Sequence, residues 1–133
     1  MRIPSNVKKG FALLLLLQLL LSTTSCYETQ RECKDFKTGE FEFKTKVDGV
    51  MRTTKFVRND TLEIDFYQGK SDTSSIRWVN DCEYIVQKLH PKNMAERKAI
   101  AMKILTTSKN SYTFEYGNVG SAATQKGTVT KIK

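Results

Sequence analysis

Three features of the chain predict an all-β fold. From Gly39 onward the chain alternates apolar and polar residues with a period of two. Turn-forming pairs recur at roughly ten-residue spacing. Only one short stretch favours helix over strand. Together they give eight short strands, mostly joined by hairpin turns. Such regularity favours an antiparallel meander curled into a small up-and-down barrel or half-barrel. A two-sheet sandwich is the alternative.

The elements follow in order. Residues 40–47 place Phe41, Phe43, Thr45 and Val47 on one face and Glu40, Glu42, Lys44 and Lys46 on the other, as in a half-buried strand. Asp48-Gly49 reads as a type I′ hairpin turn, because glycine accepts positive φ freely. Residues 51–58 return with a weaker pattern, and Asn59-Asp60 turns the chain. Residues 61–67 alternate again, with Leu62, Ile64 and Phe66 opposite Glu63 and Asp65. A loop over residues 68–72 centres on Gly69. Residues 73–79 carry Ile76 and Trp78 on one face, and Asn80-Asp81 turns them. Residues 82–89 share Cys82, Tyr84 and Val86 on a face and stop at Pro91. Residues 93–101 are helix-tolerant, with Asn93 placed as an N-cap. Residues 102–107 and 111–116 are strands joined through Lys109-Asn110, the second alternating Tyr112, Phe114 and Tyr116 with Thr113 and Glu115. After a loop carrying Gly120, residues 125–132 form the last strand. Gly127 there marks a bulge or a close backbone approach.

The first 26 residues have a different character. Arg2, Lys8 and Lys9 precede an apolar run, residues 11–21, broken only by Gln18. Small residues Ser22, Thr23, Thr24 and Ser25 lead to Cys26. That is the layout of a removable secretory signal. The run is shorter than the roughly 20 apolar residues that span a bilayer. An uncleaved anchor and a secretory signal cut without lipidation remain as alternatives. A signal over residues 1–25 leaves 108 residues, one domain. Residues 26–38 read as an extended polar tether and residues 39–133 as the folded domain. The signal holds three basic residues and no acid, so of the net charge +8 the remainder keeps +5. Its lysines are dispersed and form no basic block, which argues against a nucleic-acid partner.

Cysteine parity is informative. If Cys26 carries lipid, Cys33 and Cys82 are left as a pair in an oxidising compartment, and a disulfide between them is expected. Two free buried thiols are the competing reading. No metal is expected: there is no CxxC spacing, and the single histidine, His90, stands before Pro91 without a second ligand nearby.

Motifs for catalysis are missing. Glu63 and Asp65 share one side of a strand, where paired carboxylates could bind a cation or share acid–base work. The ordinary reading is a solvated strand face, and the same holds for Glu40, Glu42, Lys44 and Lys46. Ser74 and Ser75 lack a GxSxG context. Neither GxxxxGK[ST] nor GxGxxG occurs, and no cofactor is implied. The aromatics remain: Phe41, Phe43, Phe66, Trp78, Tyr84, Tyr112, Phe114 and Tyr116 are expected to point largely inward. Small eight-stranded barrels are filled by side chains or hold one small ligand. These residues are therefore a core or, in a lipocalin-like arrangement, the lining of an apolar pocket.

Residues 33–39 (CKDFKTG), 72–84 (DTSSIRWVNDCEY) and 102–107 (MKILTT) resemble a family of small exported bacterial lipoproteins. The middle stretch, with Trp78 four residues before Cys82, is the most specific. The resemblance extends over nearly all of residues 26–133. It implies that Cys26 becomes the acylated first residue of the mature chain. Tyr27 in place of Asp after that cysteine implies sorting to the outer membrane. Members of this family often carry the label "DNA topoisomerase IV", and the residues argue against it. The tyrosine that cuts DNA in type II topoisomerases follows an arginine. Here Tyr27, Tyr67, Tyr84, Tyr112 and Tyr116 follow Cys, Phe, Glu, Ser and Glu. A 108-residue domain is also too short for cleavage and gate machinery. The expectation is a non-enzymatic, lipid-anchored cell-envelope protein with a binding or structural role. A lipocalin-like carrier of a small apolar ligand is the alternative.

Overall fold

The computed structural model describes residues 2, 4–10 and 30–133. The core of the expected signal and its cysteine, Cys26, lie outside the described residues. Eight strands follow a 3-10 helix over Cys33–Phe36: β1 (Gly39–Val47), β2 (Val50–Arg58), β3 (Leu62–Tyr67), β4 (Lys70–Asn80), β5 (Glu83–Lys88), β6 (Ile100–Thr107), β7 (Ser111–Asn118) and β8 (Gln125–Lys131). Each pairs antiparallel with the next, and β8 closes on β1 through Phe41↔Lys131, Glu42↔Thr130 and Phe43↔Val129. The result is a closed up-and-down barrel, which removes the free edges that an open sheet would leave.

Local chemistry sets the turns. Asp48 and Gly49 both adopt positive φ, 51° and 77°, as a two-residue I′ connection requires. Asn59 Oδ1 accepts from the backbone N–H of Thr61 and Leu62, and Asn80 Oδ1 accepts from Cys82. These Asx contacts hold the chain at the β2–β3 and β4–β5 reversals.

One loop is shorter than the sequence predicts. Gln68 and Gly69 form a two-residue turn with φ of 47° and 74°, so β4 begins at Lys70 rather than Thr73. Gln68, a non-glycine residue, takes a left-handed conformation here. The consequence is that Asp72 enters the ladder opposite Asp65.

The expected helix over residues 93–101 does not form. Asn93 does act as a cap, its Oδ1 accepting from Glu96 N–H at 2.9 Å, but only one irregular turn follows. Ile100 is already paired with Val86 and Asn118, and Ala99 C=O accepts from Val119. Two-sided strand pairing outweighs weak helix propensity.

Residues 30–38 of the segment read as a tether pack onto the barrel. Its 3-10 turn buries Cys33 and Phe36 in one end of the barrel. Arg31 donates to Ile104 C=O at 2.8 Å, and Glu32 N–H to Thr107 Oγ1 at 2.9 Å. The Cys33–Cys82 disulfide ties this plug to the β4–β5 turn. At that end Phe36, Phe41, Ile76, Tyr84, Ile104 and Tyr112 form the core. The core continues through Phe56, Tyr112, Phe114 and Val129, which also line the space that remains open at the other end.

Candidate functional site

Strand parity decides what faces the interior. On β2 the inward residues are Thr54, Phe56 and Arg58. The register pairs Phe56 with Asp65 and Arg58 with Glu63, and directly opposed residues share a face. Glu63 and Asp65 therefore point into the barrel, and Phe66 points out with 47% of its surface exposed. This reverses two expectations: the carboxylates are not a solvated face, and Phe66 is not inward. Glu63 keeps 8% exposure.

Arg58 is the reason that a carboxylate can be buried here. The guanidinium, 2% exposed, donates to Glu63 Oε2 at 2.7 Å, to Phe36 C=O at 3.0 Å, and to the hydroxyls of Tyr84 and Tyr112 at 2.8 and 3.1 Å. The rings of Tyr84, Phe41 and Phe56 lie 4.7, 5.0 and 5.2 Å from its central carbon, within cation–π range. Burial works against its charge, but Tyr84, Tyr112 and Glu63 hold it protonated, and its pKa is raised. Tyr84 is pushed well above the usual phenol range by burial, with Arg58 opposing. Arg58 and its partners thus form a charged floor in which four of the five guanidinium N–H groups are hydrogen-bonded.

Above that floor is a cavity of about 1190 Å³, as large as sites that take small molecules. It opens between the β3–β4 turn and the β5–β6 loop. One wall is apolar: Phe43, Phe56, Met102, Phe114, Tyr116 and Val129. The other is polar and comes from β3, β4 and β5: Glu63, Asp65, Asp72, Ser74 and Lys88. Lys88 Nζ pairs with Asp72 Oδ2 at 2.7 Å and reaches Glu96 Oε1 at 3.3 Å. Their mutual contacts lower the pKa of Asp72 and raise that of Lys88. Asp65 behaves differently. Burial, then the neighbouring Glu63 and Asp72 carboxylates, push it up to about 7, against the pull of Arg58 and Lys88. Lys70, Lys92, Lys98 and His90 stand at the mouth.

Of the eight aromatics expected inward, Phe43, Tyr112, Phe114 and Tyr116 line the cavity. Phe41 and Tyr84 are core residues beneath it. Trp78 packs against Tyr84 with ring centroids 4.5 Å apart, and Lys37 Nζ sits 4.9 Å from its ring. Trp78 is therefore part of the closed end. Gly127 lets two of the lining rings approach the backbone: a Cβ there would lie 2.8 Å from Phe43 and 2.9 Å from Phe114. This is the close approach that a strand glycine signals.

Sequence reasoning missed Arg58, Asp72 and Lys88. The available signal for Arg58 was its spacing, two residues after Phe56 on an otherwise inward face. Among the described residues, no three His, Cys, Asp or Glu side chains are grouped so as to hold a metal ion. Comparison with protein-family models, curated proteins and solved structures found no match for this chain.

Proposed function

We propose that this is an exported protein, anchored to the cell envelope through lipid on Cys26, whose barrel binds a small apolar or amphiphilic molecule without catalysing a reaction. The carrier reading, lipocalin-like in kind, is favoured over a purely structural role by one observation. The barrel is not filled: a cavity of about 1190 Å³ opens to solvent above an intact core. A closed eight-stranded barrel kept only as a rigid surface has no need of that space, because packing it with side chains adds stability. The apolar wall supplies contact area for a hydrocarbon or ring, and the polar wall supplies orientation. The export and anchor parts rest on the layout of residues 1–26, and outer-membrane sorting rests on Tyr27.

Native mass spectrometry of the protein extracted from its own membranes tests all parts together. The expected mass begins at Cys26 with acyl chains added, gains two hydrogens on reduction, and carries a further non-covalent mass. A bare polypeptide removes the lipid anchor. An empty protein that also fails to bind hydrocarbon alcohols, acids and amines in titration removes the carrier reading. The Cys26→Ala chain should move to the soluble fraction, and unchanged membrane partition would count against the anchor.

A further inference from the structure

We infer that the cavity selects an amphiphile bearing a protonated amine, with the ammonium seated on Asp65 and the apolar body against Phe43, Phe56, Met102 and Phe114. This rests on the carrier reading and adds the chemical class of ligand.

The argument starts with pairing among the interior charges. Arg58 is committed to Glu63, and Lys88 to Asp72 and Glu96. Both cations are thus engaged by three of the four carboxylates that line the cavity, and Lys70, Lys92 and Lys98 line it only at its solvated mouth. Asp65 is the carboxylate left over: among the described residues it makes no ion pair and receives no side-chain hydrogen bond. Its position is fixed, because Phe56 on β2 and Asp72 on β4 are its register partners. A half-buried carboxylate with no partner is costly, and a bound cation removes that cost. An ammonium brings three donors and no acceptor, matching an acceptor-only group. A carboxylate ligand placed at the same depth meets Glu63 and Asp65 at once, and its charge is repelled. The lysines at the mouth are solvated, so their pull on an anion is screened. The rest of the lining is largely hydrocarbon and aromatic surface, with Phe56 directly beside Asp65, which favours an amphiphile over a fully polar polyamine.

The experiment uses the full chain carrying Cys26→Ala, which has no acyl group to retain lipid or detergent. Octylamine, octanol and octanoate are titrated in turn by calorimetry near pH 8. They share a tail and differ only in the head. The expected ranking places octylamine about tenfold or more ahead of octanol, with octanoate weakest. Asp65→Asn should bring octylamine down to the level of octanol. Octanoate binding as well as octylamine would overturn the inference and leave the carrier reading standing. So would an octylamine preference that survives Asp65→Asn. Should Asp65→Asn fail to fold, the ranking in the parent chain decides alone. Failure of all three ligands to bind would overturn both the inference and the carrier reading.

Discussion

Arg58 and Glu63 are register partners on adjacent strands, and their side chains meet 2.7 Å apart inside the barrel. Each is nearly inaccessible to solvent. Neither would be tolerated there alone, since the desolvation of a single buried ion exceeds what packing returns. Together with the Phe36 carbonyl and two tyrosine hydroxyls they close the floor of the cavity. The pair also fixes the parity of β3, and through it the direction of Asp65. Arg58→Ala should therefore destabilise the fold by about 3–5 kcal/mol. Glu63→Gln, which keeps a hydrogen-bond acceptor, should cost less. Urea unfolding of the two variants checks this. Equal and small losses would mean that the pair does not hold the floor.

The plug at the closed end gives a second prediction. The Cys33–Cys82 bond spans 49 residues of sequence, and closing a loop of that length restricts the unfolded chain by about 4 kcal/mol in the entropic model. The double variant Cys33→Ser/Cys82→Ser should lose stability on that scale. Hydrogen exchange should rise first at residues 31–37, because without the bond this segment is held by a few contacts such as Arg31 to Ile104. Exchange that rises uniformly over the barrel would show that the disulfide secures the whole domain rather than its plug.

Asp65 links stability to pH. Its folded pKa is raised from 3.8 to about 7, chiefly by burial and then by Glu63 and Asp72, with Arg58 on β2 and Lys88 on β5 opposing. The folded state thus binds more protons than the unfolded state between these values. The contribution of Asp65 is most favourable below about pH 4 and is lost as pH rises through about 7. Asp65→Asn removes this dependence and should raise stability at pH 8 by about 1–2 kcal/mol. The gain should vanish near pH 4, where the parent side chain is itself neutral. Parallel denaturation curves at the two pH values check the sign, and a gain independent of pH would rule out titration of Asp65 as its source.

The same residues show how far the sequence could be read. All eight strands and most of the turns were legible, because a period of two and turn-forming Asx and glycine residues act locally. The disulfide followed from cysteine parity. The orientation of β3 was not legible, although its alternation is the cleanest after β1. Alternation shows that two faces differ; it does not say which one is inside. The usual choice puts Leu62, Ile64 and Phe66 inward, and that choice fails where the interior is itself part polar. Only the pairing of β2 with β3 settles it, through Phe56 opposite Asp65, and that register is a long-range property. The Gln68-Gly69 turn was missed for a related reason. A left-handed glutamine has no signature in sequence, yet it is what delivers Asp72 to the polar wall. Half of the cavity was therefore visible beforehand, as the aromatic half, and the charged half was not.

Gly127 offers a test of whether the cavity itself matters. Its missing side chain is occupied by the edges of Phe43 and Phe114, whose rings meet at 5.7 Å in an edge-to-face arrangement. A β-branched side chain at this position suits a strand, but already its Cβ collides with both rings, and the three atoms it meets first are all ring atoms. Both rings line the cavity, so the open space beside them is where they can yield. Gly127→Val should therefore fold, at a cost of about 1–3 kcal/mol for overpacking, and should lose most of its capacity for octanol and octylamine alike. Calorimetric titration of the variant beside a thermal melt separates the two effects. Retained binding at reduced stability would place the ligand elsewhere than between these walls. Lost binding in a variant that still melts cooperatively, with stability lowered by no more than that cost, would tie recognition to the space that Phe43 and Phe114 leave open.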